Sequence, residues 1–129
     1  DQSVVQGVKA SGHYALTPLE YCNIVDTAPK VLMIPISERN YLYLSTRDRI
    51  GPYDSKYLDA RYIGRLSIHS RTLDNRGRPK KTCLLALLGE GECFCLNDPR
   101  LLKNYTEIAV SELRRDCGDV RFRIHLDDS

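Results

Sequence analysis

Near its carboxyl end the chain repeats with a period of two: Val120, Phe122, Ile124 and Leu126 alternate with Arg121, Arg123 and His125. Successive side chains of an extended strand point to opposite faces, so this segment has one apolar face and one basic face. The apolar face must lie on a core and the basic one must meet water, which calls for a sheet covered on one side. The same alternation recurs upstream. Tyr41, Tyr43 and Ser45 share one face while Leu42 and Leu44 share the other, and Tyr62, Gly64, Leu66 and Ile68 alternate with Ile63, Arg65, Ser67 and His69.

Turn chemistry joins these strands into hairpins. The apolar run Val31–Ile36 meets the Tyr41 strand across Ser37-Glu38-Arg39-Asn40, and Pro35 marks a bulge or an edge near the run's end. Asp74-Asn75-Arg76-Gly77-Arg78-Pro79 is rich in residues that tolerate positive φ or enforce a bend. Beyond it Thr82-Cys83-Leu84-Leu85-Ala86-Leu87-Leu88 is apolar on both faces, the pattern of a central strand. Gly89-Glu90-Gly91-Glu92 is a tight turn into Cys93–Leu96, and Ser3–Leu16 reads as an edge strand or an arm with a bend.

Helix signals interrupt the strands. Thr17-Pro18-Leu19-Glu20 superposes a capping box on a first-turn proline, which predicts a short helix to about Val25, ended before Pro29. Asp54–Ala60, after the Gly51-Pro52 loop, can form a helical turn. Asp98 and Pro99 are N-cap and first-turn residues, and Leu101, Leu102, Tyr105, Ile108, Ala109 and Leu113 recur at helical spacing. With Arg114 and Arg115 at the dipole's negative end and Gly118 as C-cap, they predict a helix from Pro99 to Cys117.

The expected fold is therefore α+β: a mostly antiparallel curled sheet or small, partly open β-barrel, closed by one long C-terminal helix and followed by a final strand. With 129 residues the chain suits one globular domain, residues 1–129. A start at Asp1 without an initiator Met is expected of a domain excised from a longer protein. Its 42% apolar content and net charge of +2 exclude disorder as a description of the whole, and no run approaches the length of a membrane span.

Function is read from where the charge lies. From Arg61 to Lys81 the basic residues are Arg61, Arg65, Arg71, Arg76, Arg78, Lys80 and Lys81, opposed by Asp74 alone, so the segment carries +6 and the remainder −4. A basic ribbon on an otherwise acidic domain suits a phosphate backbone, because neutralised phosphates release condensed counterions. The bland account is a solvated hairpin whose charges protect an edge. Within the ribbon, Arg76-Gly77-Arg78-Pro79-Lys80-Lys81 resembles the core of an AT-hook, the minor-groove clamp of chromatin proteins. That resemblance implies an extended Arg-Gly-Arg-Pro lying along an A·T groove. A tight turn with charged tips explains the same residues.

Tyrosine supplies a second cue: there are 8, against 2 Phe and no Trp. Tyr41 and Tyr43 on one strand face match the platforms on which single-stranded nucleic acids stack, and they equally match a half-buried sheet face. Arg121, Arg123 and His125 could extend the basic surface, bind an acidic partner, or pair with Glu107, Glu112 and Asp119.

The expected function is thus a non-enzymatic binding domain contacting nucleic acid through Arg65, Arg71, Arg76, Arg78, Lys80 and Lys81, extended by Arg121 and Arg123, with Tyr41 and Tyr43 as stacking residues. The alternative is a protein-interaction or self-associating module of a larger protein. A binder of small molecules or lipid headgroups is a third option.

No Gly-rich phosphate loop, paired-His helix or serine elbow is present, so no catalytic residue, metal ligand or cofactor is assigned. Cys93 and Cys95 are too close for a zinc knuckle and are expected in the core. Cys22, Cys83, Cys93, Cys95 and Cys117 are odd in number, which points to a reducing, intracellular setting. The sequon Asn104-Tyr105-Thr106 is expected inside the long helix.

Overall fold

A computed structural model describes residues 5–17, 30–46, 64–116 and 119–128. They form nine strands in two sheets. The first sheet runs in the order β1-β3-β4-β5-β6 and the second in the order β2-β9-β8-β7. In chain order the strands are β1 (Val5–Gly7), β2 (Gly12–Leu16), β3 (Val31–Pro35), β4 (Asn40–Thr46), β5 (Leu66–Leu73), β6 (Pro79–Leu88), β7 (Phe94–Leu96), β8 (Tyr105–Asp116) and β9 (Asp119–Asp128). All pairings are antiparallel except β1 with β3.

The two sheets share one core. Leu32, Ile34, Leu42, Leu44, Leu66 and Ile68 come from the first sheet, and Leu16, Ile108, Val110, Val120, Phe122 and Ile124 from the second. All are at most 2% exposed. Stacked sheets lie about 10 Å apart, which leaves one interdigitated layer of such side chains between them. β9 is the strand that its alternation demands: Val120, Phe122, Ile124 and Leu126 are buried while Arg121, Arg123 and His125 are exposed. The β3–β4 and β5–β6 hairpins also form, the first in unbroken register and the second with register shifts between Ile68 and His69 and between Thr72 and Leu73; Leu42 and Leu44 face inward and Tyr41 and Tyr43 outward. The first segment bends at Ala10, so β1 joins one sheet and β2 the other.

The α+β expectation is overturned. Among the described residues there is no helix, and the sheets do not close into a barrel. The segment expected as the helix Pro99–Cys117 is a turn followed by β8. Its capping signals act over one turn only: the Asp98 carbonyl accepts from the amides of Leu101 and Leu102, and Asp98 Oδ1 accepts from the Arg100 amide at 2.9 Å.

The helical spacing is produced by bulges. β8 buries Tyr105, Ile108, Val110 and Leu113, and its register against β9 slips between Tyr105 and Glu107 and again between Ser111 and Arg114. Each extra residue turns a spacing of two into one of three, so a bulged strand imitates an amphipathic helix. At the second slip Glu112 takes φ 54°, a left-handed conformation that a non-glycine residue adopts at a cost.

A second correction concerns β6. Its apolar sequence suggested a central strand, yet among the described residues it is the edge of the first sheet, with Leu84 and Leu85 exposed. Cys93 and Cys95 are likewise exposed and not in the core; Cys83, Cys93 and Cys95 are free thiols. The sequon lies at the entrance to β8, where Asn104 Nδ2 donates to the Pro35 carbonyl at 3.0 Å. The helix expected from Thr17 to Val25, the turn at Asp54–Ala60 and Arg61 fall outside the described residues, apart from Thr17. That threonine is buried and its hydroxyl donates to Asp119 Oδ1 at 3.4 Å.

Candidate nucleic-acid interface

In a meander of hairpins, alternate turns fall at the same end of the sheet. The β3–β4 and β5–β6 turns therefore meet, joined by a hydrogen bond from the Leu73 amide to the Arg39 carbonyl at 2.8 Å. Arg39 Nη1 also donates to Asn75 Oδ1. Gly77, at φ 78°, supplies the positive φ that closes the second turn, and its amide donates to the Asp74 carbonyl at 3.0 Å. The Asp74 carboxylate organises this turn. Its Oδ1 accepts from the Arg76 and Arg78 amides, both at 2.9 Å, and Oδ2 lies 3.4 Å from Arg78 Nε. Chiefly the Arg78 amide, with that of Arg76 and the Arg78 side chain, holds the Asp74 carboxyl below its usual range.

The result is a basic sheet end. Arg39, Arg76, Arg78 and Lys80 border a shallow depression of about 350 Å³ over Asp74, with Lys81 exposed beside it. Arg78 is paired with Asp74, whereas Arg39, Arg76, Lys80 and Lys81 have no ion pair among the described residues. The resemblance to an AT-hook does not extend to conformation, because Arg76-Gly77-Arg78 is folded into a hydrogen-bonded hairpin turn and is not extended.

The outer face of the same sheet continues from this end. Tyr41 stands opposite Arg71 and Tyr43 opposite His69 in the β4–β5 ladder, all on the side away from the core. The tyrosine rings are 6.3 Å apart and tilted by 55°, and the Arg71 guanidinium carbon sits 4.5 Å over the centre of the Tyr43 ring. That is cation–π geometry, and it leaves Arg71 Nε buried with no hydrogen-bond partner. Burial, with the Arg71 charge as a smaller contribution, lowers the His69 pKa. His69 and Arg71 together with Tyr43, Ser45, Val31 and Thr82 line a second shallow depression of about 310 Å³ on this face.

The structure thus joins Arg76, Arg78, Lys80, Lys81, Arg71, Tyr41 and Tyr43 on one sheet and adds Arg39 and His69, which sequence reasoning missed. Arg39 was legible from topology, since two successive hairpins bring their first and third turns together. Other candidates are separated from this group. Arg65 precedes β5 at the far end of the strand, roughly 26 Å from the turn at about 3.3 Å per residue.

Arg121 and Arg123 lie on the outer face of the second sheet, on the opposite side of the sandwich. That face carries its own acids: Arg123 Nη1 is 3.7 Å from Glu112 Oε2, and His125 Nε2 is 2.9 Å from Asp127 Oδ1. Nearby, Cys95 Sγ donates to Glu107 Oε1 at 2.7 Å, a contact that raises the thiol's pKa. No protein-family model matches the chain, and no curated protein or solved structure shows significant similarity to it. Among the described residues, no helix is long and apolar enough to cross a membrane.

Proposed function

We propose that this domain binds nucleic acid, without chemistry of its own, along the first sheet. Phosphates meet Arg39, Arg76, Lys80 and Lys81 at the basic end, and bases stack on Tyr41 and Tyr43. The observation that carries the reading is the position of the two tyrosines. They face away from the core, one of them already stacked on Arg71, on the sheet whose end gathers the hairpin's cations. An aromatic sheet face beside a cationic rim is the arrangement single strands use, because any base offers a flat face while the backbone tracks positive charge.

Fluorescence polarisation with a labelled single-stranded oligonucleotide tests it. Binding should weaken steeply with salt and should be lost in R76E/K80E/K81E. No binding at low salt removes the proposal.

A further inference from the structure

β6 combines three properties that seldom coincide in an edge strand. It is long, at 10 residues, and its last six, Cys83-Leu84-Leu85-Ala86-Leu87-Leu88, contain no charge. Leu84 and Leu85 are 42% and 36% exposed. An edge of this kind displays a row of backbone donors and acceptors beside apolar side chains, which is a template for another strand. Natural edges are blunted by Lys, Pro and bulges; here Pro79, Lys80 and Lys81 guard only the first residues, and the bulges at Lys80 and Leu85 place no charge among the leucines.

Charge indicates what the strand is built to meet. β6 begins basic, at Lys80 and Lys81, and runs straight into an acidic turn, with Glu90 and Glu92 in Gly89–Glu92. Glu92 Oε1 accepts from the Gly89 amide at 2.5 Å, whereas Glu90, like Lys80 and Lys81, is exposed and forms no ion pair among the described residues. A strand that is positive at one end and negative at the other complements a second copy of itself laid antiparallel. The parallel arrangement would set like charges side by side.

We infer that β6 is the interface of a symmetric dimer in which two copies pair these strands antiparallel along Cys83–Leu88. In that arrangement the Lys80–Lys81 end of each strand lies toward the acidic Gly89–Glu92 turn of the other, and Leu84 and Leu85 of both copies are covered. The two-fold axis is perpendicular to the sheet, as an isologous contact between antiparallel edges requires. Two five-stranded sheets then become one of ten strands, with the Tyr41–Tyr43 faces of both copies on the same side. The inference rests on the edge and its charges, and it stands whether or not the domain binds nucleic acid.

Sedimentation equilibrium of the intact chain, free of nucleic acid and under reducing conditions, is the test. The wild-type chain should self-associate to a dimer and no further. K80E makes both ends of the edge acidic and E90K makes both ends basic. Each should weaken dimerisation roughly 10- to 30-fold, since two attractive cross-strand pairs become repulsive. Mixing the two variants should yield a heterodimer, and K80E/E90K should dimerise like wild type.

This recovery separates a specific antiparallel pairing from general surface charge, and neither substitution touches the core. L84D/L85D, checked for native circular dichroism, should be monomeric. A wild-type chain that stays monomeric at several hundred micromolar overturns the inference, as does a K80E/E90K variant no better than K80E.

Discussion

The salt dependence of binding can be worked out from the ion pairs of the basic sheet end. Arg39, Arg76, Lys80 and Lys81 are unpaired there among the described residues, while Arg78 already faces Asp74 at 3.4 Å. If each unpaired cation neutralises one phosphate of a single strand, the logarithmic salt slope is about −2.8, at about −0.7 per contact. Raising salt from about 50 to about 200 mM should then weaken binding about 50-fold.

Single substitutions should divide accordingly. R76A and K80A should each flatten the slope by about 0.7, and R78A should do less because its charge is already countered. D74N should steepen the slope by up to about 0.7 by releasing Arg78, provided the turn holds through its Gly77 amide bond. R65A and R121A/R123A should leave the slope unchanged, since those residues lie at the far end of β5 and on the opposite face of the sandwich. The assay is polarisation across a salt series with one labelled oligonucleotide. A slope shallower than about −1, or one that R76E/K80E leaves intact, would refute the assignment of phosphate contacts to this sheet end.

Y41A and Y43A should each lose about 1–3 kcal/mol of affinity for an unstructured single strand and much less for a duplex. Equal losses on both would show that the rings do not stack on bases. In the core, F122A should destabilise the fold by about 3–5 kcal/mol in urea denaturation, whereas L84A, on the free edge, should cost well under half of that. His69 gives a pH signature. Its folded pKa lies below the ordinary value of 6.5, chiefly through burial, so above that pH it is neutral in both states and does not affect the balance. As pH falls below 6.5 the unfolded chain takes up the proton first, and stability drops until the folded pKa is passed. Urea midpoints measured between neutral and acidic pH should show this loss, and H69Q should reduce it.

Much of the architecture could be read from the chain because its physical cause is local. The alternation in β9 and β4, the polar turn at Ser37–Asn40 and the Asp74–Arg78 turn with Gly77 at positive φ each follow from neighbouring residues. β8 could not be read this way. Its two bulges exist only against β9, and without that partner the burial of Tyr105, Ile108, Val110 and Leu113 has the rhythm of a helix.

The status of β6 was equally hidden. Whether an apolar strand is central or at an edge depends on which strands lie beside it, and hydrophobicity alone carries no information about neighbours. The candidate site divides along the same line. The sequence by itself determined that the cations cluster along one hairpin and that Tyr41 and Tyr43 share a strand face. Only the tertiary structure decided that this face turns outward, that Arg39 joins the cluster, and that Arg121 and Arg123 face the other way. Which side of a sheet meets the core is set by packing between sheets, an interaction between residues far apart in the chain.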